Sequence, residues 1–139
     1  MTPVARPFSH AIDRLRAVWL RPTRQRLALA KLLFDGCDRH ISAEQLHGAA
    51  LAANIRVSLA TVYNTLHQFT EAGLLREIVV DAGRSYFDTN VSLHHHYFYE
   101  KSGQLVDLSG DMIHMEGIPL HSPDGRRVSR VDVIVRVDG

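Results

Sequence analysis

Cysteine is nearly absent. Cys37 stands alone in 139 residues, which excludes an intramolecular disulfide framework and any zinc site built on several thiolates. Lysine is almost as scarce: 14 of the 16 basic side chains are arginine, the residue suited to planar, bidentate contact with phosphate. No apolar run approaches the roughly 20 residues that cross a bilayer, and no basic start precedes an apolar signal core. A cytoplasmic location with no membrane partner is therefore expected. The length excludes a large multidomain enzyme and fits one domain or two small ones. Hydrophobic residues at 45% and charged residues at 22% are near the globular average and argue against a disordered chain.

What is present is unevenly placed. From Arg6 to Lys31 there are seven basic residues against one acid, Asp13, whereas from Val91 onward five basic residues face seven acids. A basic N-terminal end is the electrostatic footprint of a surface that meets phosphate. The nine histidines are a surplus, and His94, His95 and His96 are consecutive. With thiolates scarce, metal chemistry has to rest on imidazole and carboxylate.

Periodicity divides the chain. His10 to Leu20 carries Ala11, Ile12, Leu15, Val18 and Trp19 at amphipathic helical spacing, and Arg21-Pro22 interrupts it. Thr23 caps a second helix with Leu27, Ala30, Leu33 and Phe34 on one stripe, stopped by Asp35-Gly36. Ser42-Ala43-Glu44-Gln45 has capping-box spacing and starts a third helix to about Ala53. Ser58 caps a fourth, Leu59 to about Ala72, closed by Gly73. Leu75 to Val80, an Asp81-Ala82-Gly83-Arg84 turn and Ser85 to Asp88 then read as a hairpin. Helix, turn, helix, hairpin is the order of a winged helix. A second, β-rich unit follows, with strands over His95 to Glu100 and Gln104 to Leu108 and an alternating strand from Val128 to Val137. The boundary falls near Thr89 to Leu93, giving domains 1–90 and 91–139. The second is too small for a self-sufficient core without a metal or a partner chain, so a homodimer is expected, with the terminal strand suited to an intersubunit sheet.

In such a fold the N-terminal turn of the second helix of the helix-turn-helix reads base edges. Those positions are Ser58, Leu59, Ala60, Thr61, Tyr63 and Asn64. Thr61 and Tyr63 offer methyl or ring contacts to thymine together with hydroxyls, and Asn64 can pair with adenine, so an A·T-containing double-stranded operator is expected, two-fold related in a dimer. Arg21, Arg24 and Arg26 can contact phosphate or enter a narrow minor groove.

Side chains alternate along a strand, so His94 and His96 share a face and His95 opposes them. Two imidazoles make half a metal site. Candidates for the rest are His40, Asp88 and Asp107, a set that suits zinc, iron or manganese without choosing among them. A site drawing His40 and Asp88 from one unit and His94, His96 and Asp107 from the other couples ligation to the placement of the DNA-reading heads. Consecutive histidines beside Tyr97, Phe98 and Tyr99 also suit haem, whose iron takes an axial imidazole; His47 and His67, on helices, are further candidate haem or metal contacts.

In order and spacing, Leu20-Arg21-Pro22-Thr23-Arg24-Gln25-Arg26-Leu27, His40-Ile41-Ser42-Ala43-Glu44, Ala60-Thr61-Val62-Tyr63 and His94-His95-His96 resemble the ferric uptake regulator family from about Leu20 to Val137. The resemblance implies an α+β fold, an N-terminal winged-helix DNA-binding domain followed by a small α/β dimerisation domain, acting as a metal-responsive transcriptional regulator. It places the family's interdomain metal site on His40, Asp88, His94, His96 and Asp107, its DNA-contacting tyrosine on Tyr63 and its minor-groove basic residue on Arg21. The chain also departs from the family. Tyr99 and Ser102 stand where the first structural zinc cysteine pair belongs. At a second metal site Leu93 replaces a histidine and His95 an acid, and the C-terminal domain's helix is shortened around Asp111 to Leu120. This pattern resembles the iron response regulator branch of alphaproteobacteria, in which the histidine triplet belongs to a haem-responsive site.

The resulting expectation is a homodimeric repressor or dual regulator of iron and haem metabolism genes, its DNA affinity lowered when haem engages His94 to His96. The alternative is a manganese, iron or zinc sensor in which metal promotes DNA binding. A metal-dependent hydrolase is disfavoured, because no general base, oxyanion donor or substrate loop accompanies the cluster.

Overall fold

The computed structural model describes residues 9–35, 38–92 and 94–139. Arg6, Gly36, Cys37 and Leu93 lie outside the described residues, so the thiol and the substituted histidine position are not placed. Two compact units appear, Met1–Val91 and Ser92–Gly139.

The first unit holds helices α1 (Ser9–Ala17), α2 (Arg24–Leu33), α3 (Ala43–Ala52) and α4 (Leu59–Glu71) with strands β1 (His40–Ile41), β2 (Arg76–Asp81) and β3 (Arg84–Asp88). The helix starts are where side-chain oxygens predict them. Thr23 accepts from the Arg26 N–H, Ser58 from the Thr61 N–H, and Ser42 and Gln45 complete the capping box reciprocally. Leu15, Leu29, Leu33, Leu46, Val62, Leu66 and Phe69 are wholly buried in one core, each such side chain contributing about 1.5–3 kcal/mol by leaving water.

Three features depart from expectation here. The first helix stops at Ala17, and Trp19 does not lie on its apolar stripe. The Leu20 N–H returns to the Leu15 carbonyl at 2.9 Å and the Trp19 N–H to that of Arg16 at 3.1 Å, a Schellman termination in which the residue at the left-handed position is normally glycine. Trp19 occupies it with φ 64°, and its side chain is 95% exposed. That conformation costs a side-chain-bearing residue about 1–2 kcal/mol. The second difference is Leu29, a wholly buried residue of α2 that the proposed stripe omitted. The third is β1, which adds a strand to the hairpin: the sheet order is β1-β3-β2, antiparallel throughout, with His40 opposite Asp88. Arg39 and Thr89 extend that pairing, the Arg39 N–H donating to Thr89 Oγ1 and the Thr89 N–H to the Arg39 carbonyl.

The second unit is a three-stranded sheet of β4 (His95–Tyr99), β5 (Leu105–Leu108) and β6 (Ile134–Val137) in the order β5-β4-β6. β4 and β5 form an antiparallel hairpin and β6 joins β4 in parallel. The valine-rich strand expected from Val128 is confined to its last four residues. Its partner β4 is five residues long, and pairing begins only at His96 opposite Ile134. Before that point the backbone turns on itself, Ser122 accepting from the Arg126 N–H and the Val128 N–H reaching the Leu120 carbonyl. A single 3-10 turn at Gly110–Met112 is the only helical element among the described residues of this unit. No helix among the described residues is long and apolar enough to cross a membrane.

Candidate metal centre and nucleic-acid interface

In the first unit the cap and first turns of α4 carry Ser58 and Asn64, both exposed, and Thr61 and Tyr63, both half-buried. Ser58 is held as the cap, its oxygen accepting from the Thr61 N–H and its hydroxyl donating to Thr61 Oγ1 at 2.9 Å. Val62, Leu66 and Phe69 face the core, as does Thr65, so Thr61, Asn64 and Gln68 are left on the outer face. A depression of about 460 Å³ is lined by these three with Arg21, Thr23 and Arg26, which brings four of the expected DNA contacts onto one surface.

The arginines differ in what they do. Arg21 and Arg24 are exposed. Arg26 is tied inward: its Nε and Nη2 donate to Gln68 Oε1 at 3.2 and 3.1 Å and its Nη1 to the Arg21 carbonyl at 3.0 Å. Arg26 therefore braces the start of α2 and the Arg21 loop against α4.

Tyr63 has a partner that sequence reasoning missed. Its hydroxyl donates to Glu44 Oε1 at 2.6 Å. That bond holds the Glu44 carboxyl below its ordinary range and raises the Tyr63 phenol above its own. Glu44 lies in the first turn of α3, nineteen positions away, and no local pattern signals the contact. His67, also on α4, is 3.6 Å from Glu77 Oε2 on β2 and packs beside Tyr63 and Phe87. His47, on α3, donates from Nε2 to the Val57 carbonyl at 3.0 Å. Each of these two candidate haem contacts is thus engaged within the first unit.

The same unit carries a histidine–carboxylate pair. Cross-strand register sets His40 Nε2 3.2 Å from Asp88 Oδ2. The Asn90 N–H donates to Asp88 Oδ1 at 2.8 Å, which orients the other oxygen toward the imidazole.

The second unit carries a histidine pair with a carboxylate. His94 and His96 project together, their rings edge to face with centroids 4.6 Å apart. Their Nε2 atoms lie 3.3 and 3.5 Å from one oxygen of Asp107, because β5 sets Asp107 opposite His96. His94 donates from Nδ1 to the Ser92 carbonyl at 2.7 Å, which leaves Nε2 as the ring nitrogen that faces the carboxylate. A second bond that chooses the tautomer and aims the free nitrogen is what a metal-ligating imidazole requires. His95 faces away as alternation dictates and accepts from the Val133 N–H at 3.1 Å. The donor chemistry in both units fits a borderline divalent ion bound by imidazole and carboxylate.

Residues 18–133 match the model of the Ferric uptake regulator family. A ferric uptake regulation protein of Bordetella parapertussis is 34% identical over 98 residues, 70% of each chain. A peroxide-responsive repressor PerR of Staphylococcus epidermidis is 33% identical over 100 residues, 72% of this chain and 66% of that one. Among solved structures, the ferric uptake regulator of Pseudomonas aeruginosa with manganese superposes with a TM-score of 0.70 at 26% identity, covering 91% of this chain and 96% of that one. The ferric uptake regulator of Vibrio cholerae gives 0.71 at 25% identity, over 90% and 96% of the two chains.

Proposed function

This chain belongs to the ferric uptake regulator family, and from that premise we propose a homodimeric regulator of iron and haem metabolism genes whose grip on an A·T-containing operator is set by one divalent ion. The family's members are metal-responsive, DNA-binding transcription regulators and not enzymes. The proposed ligands are His40 and Asp88 with His94, His96 and Asp107. The observation that carries the proposal is the convergence of the His94 and His96 Nε2 atoms on one oxygen of Asp107, with the His40–Asp88 pair as the complementary donors. A bound divalent ion would supply a positive charge to be held by these imidazole and carboxylate donors. The chain's own residues do the rest: Ser92 and Asn90 orient ligands, and Arg21, Arg24, Ser58, Thr61, Tyr63 and Asn64 present phosphate and base contacts.

The test is to strip the protein and titrate manganese, iron(II) or zinc while following binding to duplexes that the protein selects from a random pool. One equivalent of ion per chain is expected to raise affinity about tenfold or more, and His40→Ala and His96→Ala are each expected to abolish that same equivalent. Two equivalents lost independently, or duplex binding indifferent to metal, overturn the proposal.

Haem as the signal is a second reading, favoured by the three successive imidazoles beside Tyr97, Phe98 and Tyr99. His95 is 2% and His96 1% exposed, so the strands around them have to open before a haem iron reaches these imidazoles. Haem and the divalent ion therefore compete for the same imidazoles, and haem lowers the metal-supported DNA affinity. A haem titration that leaves the bound ion and the DNA affinity untouched defeats this reading.

A further inference from the structure

Trp19 is the chain's one tryptophan, and folding gains nothing from its ring. The indole is 95% exposed, and the backbone beneath it is held at φ 64°, where glycine is the unstrained choice. The neighbouring residue of the same turn behaves in the opposite way: Leu20 packs against the core while its N–H closes the turn on Leu15. The turn is thus anchored through Leu20, and Trp19 is displayed on a backbone fixed by two hydrogen bonds rather than on a loose loop.

What it is displayed beside identifies its partner. Trp19 precedes Arg21 by two residues, so the two lie within about 7 Å along the chain. Arg21 lines the depression that also contains Thr61 and Asn64 of α4, and Arg26 ties the Arg21 carbonyl to Gln68 of the same helix. The surroundings of the ring are therefore basic and continuous with the face proposed to read the duplex. A flat apolar ring at such a rim can pack on deoxyribose edges and widen or wedge the groove that the arginine enters.

We infer that Trp19 is a DNA contact, packing its indole on the sugar wall of the groove beside the Arg21 site and contributing affinity without charge. The inference rests on the DNA-binding function proposed above. It differs from the arginine contacts in its physics: phosphate contacts release counterions and steepen the salt dependence, whereas an apolar ring contact leaves that slope alone.

Because the tryptophan is single, its emission reports on this contact alone. The metal-loaded full chain is mixed with a duplex that the wild-type protein selected from a random pool, and quenching by acrylamide is measured with and without the duplex. Strong quenching of the free protein and severalfold protection in the complex are expected. In parallel, Trp19→Gly is expected to weaken binding about tenfold with an unchanged salt slope and a raised melting temperature, and Trp19→Phe to retain part of the affinity. Arg21→Ala, by contrast, is expected to reduce the slope by about one. Protection already present in the free protein means that another protein surface covers the ring, and it overturns the inference. Equal quenching in free and bound states, or a Trp19→Gly variant that binds as tightly as wild type, overturns it as well. If the wild-type chain selects no duplex at all, the DNA-binding function falls and takes this inference with it; selection without protection removes the inference only.

Discussion

At the scale of single residues, the contact between Tyr63 and Glu44 has consequences in solution and on DNA. Glu44 sits below its ordinary value of 4.5 because the Tyr63 hydroxyl donates to it. Its contribution to stability is present above 4.5 and is lost as the pH falls through the lowered folded value. Tyr63 is raised above its ordinary 10.0 by the same bond, so its contribution is present below 10 and is lost as the pH climbs through the raised folded value. Both groups are near the surface, and solvent keeps these contributions small. Tyr63→Phe is expected to return the Glu44 titration toward 4.5, read directly by carboxyl carbon NMR. On DNA, the Glu44 carboxylate stands beside a ring expected to meet the operator and repels its phosphates. Glu44→Gln is accordingly expected to raise operator affinity, by up to about fivefold at low salt. The gain should fade as salt shortens the range of the charge, and an affinity that falls in this variant shows that the carboxylate instead positions the tyrosine.

At the scale of elements, caps and braces set which helix ends are stable. The Ser42–Gln45 capping box satisfies the donors at the start of α3 from both sides. Ser42→Ala is expected to cost about 1 kcal/mol, seen as a melting temperature lower by about 4–8 °C. Arg26 and Arg21 separate two roles that composition alone merges. Arg26 makes three hydrogen bonds to Gln68 and the Arg21 carbonyl, so Arg26→Ala is expected to lower the melting temperature along with DNA affinity. Arg21→Ala should leave the melting temperature unchanged, and a calorimetric scan distinguishes them. The helix starts were legible in the sequence because Thr23, Ser42 and Ser58 act on backbone only three residues ahead. The end of α1 was misread, because the 3.6-residue apolar spacing continues through Trp19 while the hydrogen bonds have already turned back to Leu15 and Arg16. β1 was missed for a related reason: two residues carry no periodicity, and only their partners on β3 make them a strand.

At the scale of the whole molecule, the second unit carries the surface on which the proposed homodimer rests. Its described segment from Met112 to Leu120 exposes Met112, Met115, Ile118 and Leu120, an apolar run of the kind that water penalises until another surface covers it. Under the proposed homodimer, Leu120→Lys is expected to shift sedimentation from dimer toward monomer and to weaken operator binding through loss of the second half-site contact. An unchanged sedimentation coefficient places the dimer elsewhere. Metal loading should stabilise the folded chain in proportion to the logarithm of free ion, by about 2.7 kcal/mol at a hundredfold excess over the dissociation constant, read as a higher melting temperature. His96→Ala should abolish that gain.

The sequence alone determined what depends on near neighbours and on residue chemistry. That includes the capped helix starts at Thr23, Ser42 and Ser58, the hairpin that follows them, the alternation that puts His94 and His96 on one face, and a ligand set limited to imidazole and carboxylate by the lack of thiols. Tertiary structure decided what depends on distant partners. It tied Tyr63 to Glu44 and Arg26 to Gln68, set Asp107 opposite His96, shortened the valine-rich strand to the reach of β4, and turned Trp19 outward on a backbone that glycine would hold more easily. The division has one physical origin: capping and alternation act within a few bonds along the chain, whereas pairing register and side-chain contacts exist only after the chain has folded back on itself.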